Sequence, residues 1–236
     1  MAPGSVATGD GHARDSCINL FTFEHVRVDG ADGPRLADAD GSIPARGVTV
    51  ISGPSGSGKS TLLRICNRLD VPTAGCVRFR DDDVAALDPL VLRRRVGMIF
   101  QQPTPFPGTV HDNLCVAAPI DEAAAIAVLG RAGLDRGFLD RQADELSGGE
   151  AQRMCLARTL VTDPEVLLMD EPTASLDDEN VAIVEGLACE MAGGGVSIVW
   201  VTHDRAQRAR IADTSVEMQD GRIVSIGSPG GVDDGG

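Results

Sequence analysis

Gly53-Pro54-Ser55-Gly56-Ser57-Gly58-Lys59-Ser60-Thr61 sets a lysine and adjacent hydroxyls behind closely spaced glycines. A triphosphate is a dense cluster of anionic oxygens that side chains would crowd. Gly53, Gly56 and Gly58 let the backbone curl around it with N–H groups inward, while Ser55, Ser57 and Thr61 belong to the same phosphate-binding stretch. The helix that follows adds the positive end of its dipole. Lys59 reaches the terminal phosphates and the Ser60 hydroxyl is suited to Mg²⁺.

Two carboxylates follow a second apolar run. Val166-Leu167-Leu168-Met169 reads as a buried strand, so Asp170 and Glu171 emerge at its C-terminal end, where open α/β sheets bind ligands. There Asp170 would hold Mg²⁺ and Glu171 would polarise an attacking water. His203 follows the run Ile198-Val199-Trp200-Val201 and is expected at the same edge, near a γ-phosphate. Gln101 ends the expected strand Val96–Phe100, from which its amide could touch the metal or the water.

Ser147-Gly148-Gly149 opens an expected helix in which Ala151, Met154, Cys155 and Ala157 recur at helical spacing, with Gln152, Arg153 and Arg158 off that face. A helix N-terminus with free N–H groups and a hydroxyl can form a second anion site. A serine-capped helix after a loop has the same sequence.

Elements able to position these groups are visible around them. Strand-like runs at Val48–Ile51, Val96–Phe100, Val166–Met169, Ser197–Val201, Ser215–Met218 and Arg222–Ile226 alternate with helical ones such as Thr61–Leu69. That pattern predicts an α/β fold with a mostly parallel sheet covered by helices. From about 102 to 160 the rhythm gives way to Ala-rich helical segments, including Asp121–Gly130 and Glu150–Leu160, read as a helical insertion. Residues 1–16 and 228–236 read as disordered tails flanking one domain over 17–227.

Composition narrows the function classes. With 236 residues the chain can bury a sizeable core. Its 21 Lys and Arg against 35 Asp and Glu, a net charge of −14, argue against nucleic acid as a partner. The six cysteines lack any C-x-x-C pair and are expected as buried, reduced thiols. Apolar runs fall short of the ~20 residues that span a bilayer, and the N-terminus lacks a basic start and apolar stretch, so neither secretion nor membrane insertion is expected.

Together, the glycine loop, Leu146-Ser147-Gly148-Gly149-Glu150 and Val166–Glu171 resemble the ATP-binding subunit of ABC transporters, a likeness extending from Ile18 to Gly227. The resemblance implies a P-loop ATPase core with a small N-terminal antiparallel part and the helical insertion. It makes Gly53–Thr61 the Walker A loop, Gln101 the Q-loop, Leu146–Glu150 the signature, Val166–Glu171 Walker B, Ser175–Asp177 the D-loop and His203 the switch histidine. It further implies ATP and Mg²⁺, and a head-to-tail homodimer or a pairing with a related ATPase subunit, with Ser147 serving the neighbour's nucleotide. An integral membrane permease would be the partner of a cytoplasmic protein peripheral to the inner face of the cell membrane. Glu150 stands where many members carry Gln. The family's base-stacking aromatic would fall near Gly30, but the nearest aromatics are Phe21 and Phe23, which implies loose nucleotide selectivity.

Val96–Pro107 and Arg153–Arg158 resemble phosphate-importer ATPases. The link Leu69–Gly75 is shorter than in that group, and Gly108–Leu114 with Trp200–Asp204 resembles metal exporters typified by iron efflux. Phosphate import is the expectation, with metal export, or a permease-free ATPase of the iron-sulfur assembly type, as the alternatives.

Overall fold

The computed structural model describes residues 19–31 and 33–229. The expected tail 1–16, and the other tail from 230 onward, lie outside the described residues.

The N-terminal part is a four-stranded antiparallel sheet. Its strands are β1 (Asn19–Gly30), β2 (Gly33–Pro44), β4 (Ala74–Phe79) and β5 (Asp82–Asp83), in the order β2-β1-β4-β5. A six-stranded sheet carries the site, built from β3 (Val48–Ser52), β6 (Val96–Ile99), β7 (Val166–Asp170), β8 (Ser197–Val201), β9 (Thr214–Gln219) and β10 (Arg222–Gly227). Its order is β10-β9-β3-β8-β7-β6, parallel except for the antiparallel pair β9–β10. Strand β6 stops at Ile99, so Phe100 and Gln101 lie just past its end.

Period-two side-chain alternation divides the core between the two faces of this sheet. Leu168, Val199 and Val201 point into a cluster with α1 (Lys59–Cys66) and the small sheet, including Phe21, Phe23 and Phe79. Leu167, Met169, Ile198 and Trp200 point the other way, toward α5 (Gly148–Leu160) and α6 (Asp178–Gly193). Helix α1 is therefore held between two sheets, fixing the loop that precedes it. It ends earlier than the expected Leu69, because Arg68 takes a left-handed φ of 57° and the Leu69 N–H turns back to the Arg64 carbonyl.

Between β6 and α5 lie α3 (Val110–Ala117), α4 (Glu122–Arg131) and two 3-10 turns, both helices packing on α5. The helix α2 (Pro89–Arg95), started by the Asp88 cap, and α7 (Arg205–Ile211) complete the set. No single described helix is long and apolar enough to cross a membrane.

The thiols depart from expectation. Of the five described cysteines, all free, only Cys66 and Cys155 are buried; Cys76 and Cys115 are half-buried and Cys189 is exposed. Cys17 lies outside the described residues. Helix α5 is also more buried than its apolar face alone predicts. Gln152 is 2% exposed because its amide donates to the Phe100 carbonyl at 3.0 Å, and Arg153 is 9% exposed with Nη1 on Asn180 Oδ1. These hydrogen bonds offset part of the cost of burial, while Gln152 Oε1 and Arg153 Nε stay buried without a partner.

Candidate functional site

The loop after β3 bends only because its glycines adopt left-handed or extended-positive backbone. Gly53, Gly56 and Gly58 have φ of 144°, 79° and 97°. Gly53 and Gly58 are also points of close approach, since a Cβ would stand 2.1 Å from the Met218 carbonyl oxygen or 2.6 Å from that of Arg35. Helix α1 has no side-chain cap, so its first N–H groups face the loop unpartnered by a side chain. Lys59 Nζ donates to the Gly53 and Pro54 carbonyls at 2.9 and 2.8 Å, spanning the loop. The Ser57 hydroxyl is buried on the loop with no hydrogen-bond partner.

Strand order puts the carboxylates and histidine beside this loop. β8 and β7 follow β3 in the sheet, so residues leaving their C-terminal ends gather on one flank of the loop. Asp170 is 6% exposed, and Ser60 Oγ donates to its Oδ1 at 2.8 Å. Burial pushes the Asp170 carboxyl above the ordinary carboxylate range, and the Ser60 hydrogen bond opposes that rise. Adjacent ligands of an octahedral Mg²⁺ at 2.0–2.1 Å stand about 2.9 Å apart, so this hydroxyl–carboxylate pair fits such an ion.

Glu171 has a left-handed φ of 46°, uncommon for a residue with a side chain, and its N–H donates to the Val201 carbonyl at 3.1 Å. The turn brings Glu171 Oε2 to 3.3 Å from His203 Nδ1. Behind them, α7 braces the loops. Gln207, 3% exposed, accepts from Trp200 Nε1 at 3.1 Å and donates to Thr173 Oγ1 and Glu185 Oε1 at 3.0 Å each. Arg208 Nη1 reaches Ser52 Oγ, just before the glycine loop, at 3.0 Å. This buried brace was not legible in the sequence.

A cavity of about 590 Å³ results, lined by loop residues between Ser55 and Thr61 together with Glu171, His203 and Arg35. Arg35, on β2, gives no motif signal, because its nearness to the loop is a tertiary contact. Four predicted residues stand apart. Gln101 is exposed and is not among the lining residues. Neither are Ser147, Gly148 and Gly149, which start α5.

At that helix start Ser147 Oγ accepts from the Glu150 N–H, while Glu150 Oε2 accepts from the Ser147 N–H at 2.8 Å, forming a capping box. Gly149 is required by packing, for a Cβ there would lie 2.2 Å from Asn180 Oδ1; Gly148 faces open space. The serine-capped helix expected of this segment is present.

Chemically, the arrangement offers anion-binding N–H groups and a lysine on a loop, an oxygen pair for a divalent cation, and a carboxylate–imidazole pair beside them. Those are the requirements for binding a nucleoside triphosphate and activating water against its end.

The sequence model of the ABC transporter family matches residues 36–174. The phosphate import ATP-binding protein PstB of Pyrobaculum aerophilum is 43% identical over 203 residues, covering 78% of this chain and 81% of that protein. The ABC transporter I family member 17 of Arabidopsis thaliana is 37% identical over 236 residues, covering 93% and 89%. Among solved structures, cbiO1 of Clostridium perfringens, part of the ABC transporter complex cbiONQ, superposes with a TM-score of 0.80 at 29% identity, covering 89% of each chain.

Proposed function

The chain belongs to the ABC transporter ATP-binding family and is an ATPase, and from that premise we propose that it powers import of inorganic phosphate through a separate membrane permease. The observation that carries the ATPase chemistry is the 3.3 Å approach of His203 to Glu171 beside the Lys59 loop.

In this reading Lys59 leaves the Gly53 and Pro54 carbonyls for the β- and γ-phosphate oxygens of ATP. The α1 N–H groups and the glycine loop hold the β-phosphate. Ser60 and Asp170 would hold Mg²⁺, with Gln101 joining if the segment after β6 moves inward, and the ion would supply positive charge against the phosphates. Glu171 takes a proton from the attacking water, and His203 holds the γ-phosphate and orients Glu171. ATP and water become ADP and phosphate.

Ser147, Gly148 and Gly149 would complete the site of a second chain. Their separation from the cavity supports a head-to-tail dimer with an identical or related subunit, closed by ATP. The permease would dock where Phe100 and Phe106, 46% and 44% exposed, flank an apolar groove beside Gln101. Arg158 ties this groove to α5 through the Thr104 carbonyl and Asn113, and stacks on Phe106 at 4.6 Å. Binding there would keep the protein at the inner membrane face.

Phosphate as cargo rests on the similarity to the phosphate-import relative. Purifying the tagged protein from detergent-solubilised native membranes and identifying its companions tests it. A phosphate permease supports the reading, whereas a metal-efflux permease or only soluble partners would overturn it.

A further inference from the structure

The cavity has two flanks, and only one is accounted for by phosphate chemistry. Because β3 lies between β9 and β8, the loop after it has Glu171 and His203 on the β8 side. On the β9–β10 side, β2 crosses the loop: Gly221 accepts from the Ala37 N–H at 2.9 Å and donates to the Ser57 carbonyl at 3.2 Å. The Arg35 carbonyl and Leu36 press against Gly58 from that side. A triphosphate whose terminal phosphate meets Glu171 therefore directs its sugar and base toward Arg35.

Arg35 is held ready for a planar ligand. Its Nη1 donates to Asp70 Oδ2 at 2.9 Å and its Nη2 to Oδ1 at 3.3 Å, a two-point fork that fixes the guanidinium plane. Those in-plane donors are engaged, while the side chain remains 42% exposed. A guanidinium face stacks on aromatic rings, and base stacking tolerates any base because each has a π-face. Apart from the His203 imidazole on the far flank, no residue lining the cavity among the described residues is aromatic. Phe21 and Phe23 are fully or almost fully buried in β1.

We propose that Arg35, fixed by Asp70, is the platform on which the nucleobase stacks, and that it holds nucleotides without discriminating adenine from guanine. The inference rests on the triphosphate reading of the Lys59 loop. A base-stacking contact predicts loss of affinity only for ligands that carry a base, while a charge contact predicts loss for any polyphosphate.

Isothermal titration of the full chain with ATP, GTP and inorganic tripolyphosphate separates these cases. Arg35→Ala weakens ATP and GTP alike, by about tenfold, and leaves tripolyphosphate within about twofold. Arg35→Phe, planar but uncharged, restores nucleotide binding; Arg35→Lys, charged but not planar, does not. Equal weakening of tripolyphosphate by Arg35→Ala, unchanged ATP affinity, or a marked preference of the wild type for one purine overturns the proposal. Lys59→Ala is the separate control. If it leaves all three ligands bound, the triphosphate reading itself fails; if it abolishes binding while Arg35→Ala has no effect, only the base platform fails.

Discussion

His203 Nδ1 lies 3.3 Å from Glu171 Oε2, joining two residues that leave neighbouring strands. The carboxylate is largely buried while the imidazole is mostly exposed, so the histidine forms the movable half of the pair. Glu171→Gln keeps the shape and hydrogen bonding but removes the base. It is expected to lower turnover about a hundredfold or more with ATP affinity intact, read by phosphate release and titration. Turnover at the wild-type rate would remove Glu171 from the reaction.

The two signature glycines should behave differently. Gly149→Ala forces a Cβ into Asn180 and is expected to cost about 1–3 kcal/mol in urea unfolding. Gly148→Ala meets nothing and, in a helix, is expected to leave stability unchanged within about 0.5 kcal/mol or to raise it slightly. Equal costs would mean that packing on α6 does not explain Gly149.

Gln207→Leu removes the shared partner of the Trp200 N–H, the Thr173 hydroxyl and Glu185. Leaving buried polar groups unpartnered costs about 1–3 kcal/mol each, so a loss of about 2–4 kcal/mol is expected, partly relieved because Arg210 still holds Glu185. Chemical denaturation reads it, and a loss under about 0.5 kcal/mol would show the brace to be dispensable.

Acid should weaken the start of α5. Hydrogen bonds from the Arg141 guanidinium, then from the Ser147 N–H, hold the Glu150 carboxyl at about 2, below its ordinary 4.5. A carboxylate held down in the fold stabilises it fully above the ordinary value and loses that contribution as pH falls through the folded one. Wild type should therefore exceed Glu150→Gln by about 0.5–1 kcal/mol at pH 7, the two converging as pH drops from about 4.5 toward about 2. Urea unfolding at several pH values checks this; a gap independent of pH would deny the charge its role.

The glycine loop, the strand-end carboxylates and the α5 start were legible because each is local: a turn needing positive φ, an apolar run ending in charge, a cap. The run Ser197–Val201 forms β8 over the expected residues. Arg35 and Gln207 were not legible, because each acts on residues that only sheet order brings near. Gln152 and Arg153 read only as positions off the apolar face of α5 for the same reason, since their partners Phe100 and Asn180 come from other elements. Phe21 and Phe23, the aromatics nearest to the expected base-stacking position, serve the core instead.

In the proposed dimer, Lys59 of one chain and Ser147 of another enclose each ATP. Sedimentation of the Glu171→Gln protein, 24.6 kDa as a monomer, with saturating Mg²⁺ and ATP tests it directly. A mass near twice that of the chain is expected, with reversion to the monomer when Ser147→Arg is added even though each chain still binds ATP. A monomer under saturating ATP, or a dimer indifferent to Ser147→Arg, would contradict it.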